Sequence, residues 1–274
     1  MAAGHIQSSP DLWDHAALEY DSNIGARALK GAHELVKAAL SQRPLSDTSR
    51  ILDVGTGAGN IPVAIEDIHP NLPIVAIDSS PGMVEILSCR GLGNVKTGIV
   101  DARSFDRSVV PRGSFTHAFC ALVLQFVGDR QLDVLSEIFQ SLQPGGVVAV
   151  SVSDYLGIVE PMHDACKLAD SSYKRVEPFE HTWHTTAHLH DGLKAAGFVD
   201  VEPFEIVTNN RAPSPESIVD FWTNMRNPGL KPVVNAFGED PSKLREALES
   251  VLATYEEGFR LDNRYAAAIA RKPA

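Results

Sequence analysis

The sequence predicts an α/β fold built on a doubly wound parallel sheet, and three observations predict it. An apolar strand, Arg50-Ile51-Leu52-Asp53-Val54, runs straight into alternating glycines at 55, 57 and 59 and then a helix start at Asn60-Ile61-Pro62. From 51 to 150, strand-like apolar runs alternate with segments of helical period, which implies parallel strands joined by right-handed crossovers. The turn Gln143-Pro144-Gly145-Gly146 then delivers the chain into a further apolar run, Val147 to Val150.

Taken in order, the first core helix is expected over 22 to 40, where Ile24, Leu29, Ala32, Leu35, Val36 and Leu40 leave one wet face. After the glycine turn, Ile74 to Ile77 reads as a strand ending at Asp78, and Ser80-Pro81 opens a helix by supplying a cap and a pre-set φ. Gly98-Ile99-Val100 is a third strand, followed by Asp101-Ala102. Phe115 to Val127 holds the fourth strand and its exit. Leu132, Leu135, Ile138, Phe139 and Leu142 mark the helix before the Pro-Gly-Gly turn. Thr186 to Ala196 reads as a helix stopped by Gly197, and Phe198 to Val207 as the sixth strand. Helix starts are expected at Ser214-Pro215 and Asp240-Pro241, and the last strand over Arg264 to Ala270. Residues 153–183 break the rhythm, with Tyr155, His163, Tyr173, Phe179, His181 and Trp183. This segment and residues 208–258 are read as insertions at the carboxyl ends of the strands, where open α/β sheets bind ligands.

The glycine turn is spaced G-x-G-x-G, with Asp53 two residues ahead of Gly55. A dinucleotide loop faces a pyrophosphate from a helix N-terminus. An acid beside the loop repels pyrophosphate and suits a zwitterionic, sulfonium-bearing ligand. Each feature has a plainer reading: the glycines as a packing turn, Asp78 as a helix cap, Asp101 as a turn acid. Their joint spacing favours a nucleoside site.

At these residues the chain resembles the class I S-adenosylmethionine-dependent methyltransferases, whose first motif looks like Leu52-Asp53-Val54-Gly55-Thr56-Gly57-Ala58-Gly59. The resemblance implies a seven-stranded Rossmann-like sheet with its last strand antiparallel beside the sixth, a helical lid and insertions. The whole chain then forms a single domain, with residues 1–21 as the lid. It implies S-adenosyl-L-methionine as cofactor and S-adenosyl-L-homocysteine as product. Asp78 would accept the ribose hydroxyls with Ser79 beside it, Met83 would pack on the adenine, and Asp101-Ala102 would contact the exocyclic amine and ring. Tyr20, Arg27, Asp53, Gly55, Thr56, Gly57, Gly59, Asn60, Cys120 and Ala121 complete the expected cofactor set. Trp13 from the lid, Tyr155 and Trp183 from the first insertion, and Phe221 and Trp222 from the second are candidate substrate-pocket walls. Phe221, Trp222 and Met225 also fit ordinary core packing at helical spacing.

A net charge of −11 disfavours nucleic acid and anionic membrane surfaces as partners. Hydrophobic content of 44% and charged content of 22% are those of a globular enzyme, and the odd three cysteines lack metal spacing. A cytoplasmic protein is expected, monomeric, acting on a small, partly hydrophobic acceptor.

Methyl transfer by in-line substitution asks the protein mainly to position and desolvate. A phenol of pKa about 10 gains from a general base, whereas a thiol of pKa about 8.5 supplies useful thiolate near neutrality. His184 is the candidate base, with a structural or solvated histidine as the alternative; His188 and His190 are expected on the outer helix. His184 and His188 share a helical face, but no third ligand stands nearby, so no metal is expected. The segment after the fourth strand, Cys120 to Gln125, lacks the carboxylates of cation-dependent catechol enzymes, and Cys120 is read as inert. The run from Ile6 to Leu29 is similar to fungal methyltransferases that cap reduced dithiols of epidithiodiketopiperazine metabolites. That implies thiol S-methylation in secondary metabolism, with O-methylation of a phenol or carboxylate, or a cofactor-binding regulatory role, left open.

Overall fold

The computed structural model describes residues 13, 14, 17, 26–176, 184–211, 219, 233, 241–254 and 260–274. In chain order these form α1 (Ala26–Gln42), β1 (Ile51–Val54), α2 (Asn60–Ile68), β2 (Ile74–Asp78), α3 (Pro81–Cys89), β3 (Val95–Ile99), β4 (Phe115–Ala121) and α4 (Gln131–Ser141). There follow β5 (Leu142–Leu156), α5 (Val159–Ala169), α6 (Thr186–Ala195), β6 (Val199–Arg211), α7 (Pro241–Leu252) and β7 (Arg260–Arg271).

The strands make one seven-stranded sheet in the order β3-β2-β1-β4-β5-β7-β6. β1 pairs in parallel with β2 on one side and β4 on the other, while β7 is antiparallel to both β5 and β6. Strand order therefore reverses at β1 and β4, and the crevice above their carboxyl ends is the topological switch point.

Both faces of the central strands are apolar because both are covered. On one face Leu35 and Val36 of α1 and Ile61 and Ile65 of α2 bury against Ile51, Phe119 and Ile269. On the other, Val134, Leu135 and Ile138 of α4 and Leu189 and Leu193 of α6 cover Leu52, Val150 and Ala268. The buried His117 imidazole is satisfied by the Arg43 carbonyl at 2.9 Å and the Thr116 hydroxyl at 2.8 Å, and burial depresses its pKa so that it stays neutral.

A third cluster lies beyond the end of β5 and touches it through Leu156. Ile158, Val159, Met162 and Cys166 at α5 bury against Leu244, Leu248 and Leu252 of α7, joined by Val219 and Val233. Segments far apart in sequence thus share one small helical core.

Several expected boundaries move. β3 begins at Val95 rather than Gly98, because the exposed Lys96 and half-buried neighbours break the apolar run that marks inner strands. Leu142 starts β5 instead of closing α4, since its backbone is already extended at φ −72 and ψ 143. β5 continues to Leu156, so Tyr155 lies on a strand and not in the insertion; Arg264 and Asn263 of β7 supply the partners that prolong it. β6 likewise runs to Arg211 by pairing along the full length of β7. The helix start expected at Ser214-Pro215 lies outside the described residues, as does the start of the first helix at 22.

Phe119 is fully buried in the central strand β4. Phe119→Ala removes that side chain where the sheet and two helices cannot collapse, and should cost about 3–5 kcal/mol in urea unfolding.

Candidate functional site

The chain leaves β1 through a turn whose glycines do different jobs. Gly55 has φ 66, and a Cβ there would lie 2.3 Å from Val123 Cγ2, so this glycine lets the loop after β4 press against the loop after β1. Gly57 has φ 53 but meets nothing within 4 Å, which leaves a cradle where a ligand can approach the backbone. Gly59 is the N-cap of α2, with φ 93 and no side-chain cap.

Three carboxylates surround this loop in three different environments. Asp53 is buried, and among the described residues its Oδ2 has no hydrogen-bond partner; the Thr56 hydroxyl is likewise buried without one. Burial pushes the Asp53 carboxyl up to about 7, the Thr56 side chain opposes the rise and the charge of Asp78 adds to it. Asp78 ends β2 with both oxygens engaged, Oδ2 accepting from the Gly57 N–H at 2.8 Å and Oδ1 from the Ser80 N–H at 2.9 Å. Burial raises its pKa, the N–H groups of Ser80, Gly57 and Ser79 lower it, and the charge of Asp14 raises it. Asp101 is half-exposed and gripped by Arg103, whose Nη2 lies 2.7 Å from Oδ2 and whose backbone N–H and Nε both reach Oδ1. That grip holds its pKa below the usual range.

The rest of the rim comes from neighbouring elements. Ser80 caps α3 by accepting from the Met83 N–H at 3.1 Å, and the Met83 side chain is buried beneath the crevice. Ala102 is half-buried after Asp101, and Ser79 is half-buried beside Asp78. At the end of β4, Cys120 is fully buried and Ala121 half-buried. Burial, with the charge of Asp53, raises the Cys120 thiol far above the range of a nucleophile. Leu122 follows at φ 61, a conformation that costs a non-glycine residue about 1–2 kcal/mol and is held here by its N–H to the Ser151 carbonyl at 2.8 Å. The Gln125 side chain bridges back to β5, donating to Ser153 Oγ at 3.1 Å and accepting from the Ser153 N–H at 2.9 Å.

Trp13, Asp14 and Ala17 have helical backbone above this rim. The Trp13 ring meets Phe126 edge-on at 5.1 Å, Ala17 is buried, and Asp14 Oδ1 accepts from the Gly82 N–H at 2.9 Å and from the Ser80 hydroxyl. Tyr155 lies under the Arg264 guanidinium, 5.4 Å away, with Asp154 beside it. Arg27 stands in the first turn of α1, and its side chain lies outside the described residues. So do Tyr20, Trp183, Phe221 and Trp222. His184 sits half-buried just before Thr185, the N-cap of α6, while His188 is exposed and bonded to the Thr185 hydroxyl. Among the described residues no cluster of three metal-ligating side chains exists. Nor is any helix of the described residues long and apolar enough to cross a membrane.

Arg103, Asp14, Val123 and the Gln125–Ser153 bridge escape sequence reading. Only Asp14 carries a signal, as an acid beside a tryptophan in a segment already read as covering the site.

The geometry fits a nucleoside bearing a cationic tail: an open cradle at Gly57, a hydrogen-bonded acid at a strand end, a buried methionine, and two orphan polar atoms at Asp53 and Thr56. Residues 51–146 match the family described as methyltransferase domain. Along 98% of this chain and 89% of the relative, the sequence is 28% identical to a trans-aconitate 2-methyltransferase of Streptomyces coelicolor. Methyltransferase ucsB of Acremonium sp. is 26% identical over 86% of this chain and 85% of its own length. The structure of Haemonchus contortus phosphoethanolamine N-methyltransferase 2 with S-adenosyl-L-methionine shares the fold at a TM-score of 0.59, with 16% identity over 100% of this chain and 61% of that one. The matched domain, the similar sequences and the shared fold support a class I S-adenosylmethionine-dependent methyltransferase. Its cofactor is S-adenosyl-L-methionine and its product S-adenosyl-L-homocysteine.

Two outcomes follow. Gly57→Ala should leave the thermal midpoint within a few degrees yet weaken cofactor binding at least about tenfold by calorimetry, whereas Gly55→Ala, which collides with Val123, should lower the midpoint itself. For Asp53 the folded pKa lies above the unfolded one, so its stability contribution is present at low pH and lost as pH rises through about 7. A cation bound beside it favours the carboxylate, so binding below that pH releases a proton and affinity climbs towards about 7. Asp53→Asn should flatten both profiles, read as thermal midpoint and as calorimetric heats in buffers of different ionisation enthalpy.

Proposed function

We propose that the enzyme methylates a carboxylate oxygen of a small organic acid, forming an ester. The carrying observation is Arg264, about half-exposed at 51%, above the carboxyl end of β5, stacked on Tyr155 and 3.4 Å from Asp154. A guanidinium at the acceptor end of the crevice is suited to a planar carboxylate. Support comes from the trans-aconitate 2-methyltransferase likeness, which spans the α5 and α7 segments as well as the cofactor loop.

In this reading Asp78 takes the ribose hydroxyls, Met83 lies against the base, Asp101 and Ala102 border it, and Asp53 with Thr56 faces the cationic tail. Gly57 offers its backbone, and Ala121 and Leu122 line the passage to the acceptor. When bound, the cofactor supplies an electrophilic methyl group on a sulfonium. The residues of the chain then need only align the acceptor oxygen and exclude water. A carboxylate, with a pKa near about 4.3, is ionised at neutral pH and requires no general base. His184 accordingly has no proton to take.

The dithiol expectation rests on the segment from Ile6 to Leu29, with the chain length and the His/Trp-rich insertion; most of that segment and residues 177–183 lie outside the described residues, and no described residue favours a thiol over a carboxylate. Incubation of the protein and cofactor with unsaturated di- and tricarboxylates, reduced dithiols, phenols and amines, followed by product mass and S-adenosylhomocysteine release, separates the readings. One added methyl on an acid, as a base-labile ester, is expected. Arg264→Gln should then raise KM for that acid by about ten- to a hundredfold with unchanged cofactor affinity, and His184→Ala should leave the pH profile intact. Methylation of the dithiols alone would replace this reading with the thiol one.

A further inference from the structure

We propose that Asp14 is a positioning residue of the cofactor site, acting through Ser80 on Asp78, so that ribose recognition and the seating of Asp14 with its neighbour Trp13 are one coupled event. The inference rests on the assignment of Asp78 to the ribose. Ser80 is fully buried and is shared by two carboxylates: its N–H donates to Asp78 Oδ1 at 2.9 Å, and its hydroxyl donates to Asp14 Oδ1. The same hydroxyl accepts from the Met83 N–H, so its lone hydrogen is committed to Asp14 and its rotamer is fixed from both sides. Asp14 is held a second time by the Gly82 N–H at 2.9 Å. There is little room to spare, because a Cβ on Gly82 would lie 3.3 Å from both the backbone oxygen and Oδ1 of Asp14.

The arrangement brings two negative charges to one serine. The charge of Asp14 raises the pKa of Asp78, so seating Asp14 carries an electrostatic cost that grows when Asp78 is ionised with only its backbone donors. Hydroxyl donors from a ribose offset that cost at Asp78. Asp14 in turn orients the Ser80–Asp78 pair that receives them. By linkage each event strengthens the other to the same extent. The consequence reaches the acceptor side, since the neighbouring Trp13 ring rests on Phe126 in the turn after β4.

The test compares S-adenosylhomocysteine with its 2′,3′-dideoxy analogue, which lacks both ribose hydroxyls, in the wild-type protein, Asp14→Ala and Gly82→Ala. Affinity is read by calorimetry and amide exchange is read on peptides containing residues 13–17. Wild-type protein should bind the full ligand more tightly than the analogue, and only the full ligand should protect those peptides. Asp14→Ala should weaken the full ligand about tenfold, leave the analogue nearly unchanged and abolish the protection. Gly82→Ala, which displaces Asp14 while keeping its charge, should shift the same readouts in the same direction. Equal losses for both ligands, or a variant that keeps wild-type discrimination and protection, would overturn the coupling. If the wild-type protein itself fails to distinguish the two ligands, the ribose assignment of Asp78 falls first, and the coupling with it.

Discussion

The hydrogen bond from the Gly57 N–H to Asp78 ties the turn after β1 to the end of β2, and the rest of the site is arranged around it. It exists only because the turn passes through left-handed conformations at Gly55, Gly57 and Gly59, which aim the Gly57 amide sideways at the neighbouring strand rather than along its own helix. That bond fixes one Asp78 oxygen. The other is fixed by Ser80 at the head of α3. A single carboxylate therefore sets the relative positions of β1, β2, α2 and α3 at the switch point, where the parallel sheet opens.

The three acids of the crevice differ in what already holds their charge. Asp101 has its counter-charge within the protein, Arg103, and stays ionised with or without a ligand. Asp78 is stabilised by backbone donors, which are strong but neutral. Among the described residues Asp53 has neither a cation nor a full set of hydrogen bonds, and burial, with the charge of Asp78 adding to it, raises its pKa to about 7. A buried carboxyl left this way is costly for the unliganded protein. That cost falls when a cation enters beside it, which is the basis for proposing that Asp53 faces the sulfonium- and ammonium-bearing part of the cofactor.

The sheet and the cofactor loop were legible because their signals are local. Strand hydrophobicity, glycine spacing and an acid at each strand end all read directly from consecutive residues such as Leu52 to Gly59 and Ile74 to Asp78. The Ser80-Pro81 helix start was legible for the same reason, and Ser80 is the cap. What escaped is set by pairing between distant segments. β5 and β6 outlast their apolar runs because β7 partners them along Asp262 to Tyr265, well beyond the alternation that either strand shows alone. The Arg103 clamp on Asp101 and the contact of Val123 with Gly55 depend on rotamers and loop approach that no period encodes. The last strand was placed beside the sixth, which the pairing shows, but its insertion between β5 and β6 belongs to topology and not to spacing.

In the proposed reading, cofactor and acceptor selection are built from different parts of the chain. The matched methyltransferase segment ends at residue 146, before most of β5. Arg264, Tyr155 and the α5–α7 cluster lie beyond it, apart from the Gly57–Asp78 bond. The α5–α7 cluster has its own buried core of Met162, Leu244, Leu248 and Leu252, and touches the sheet through Leu156 of β5. Because in-line transfer demands little covalent machinery, changing the acceptor needs only a different charge and shape at this end of the crevice. Under the proposed carboxylate reading, Arg264 above β5 would favour acids, and an apolar wall in its place would favour another acceptor on an unchanged donor site.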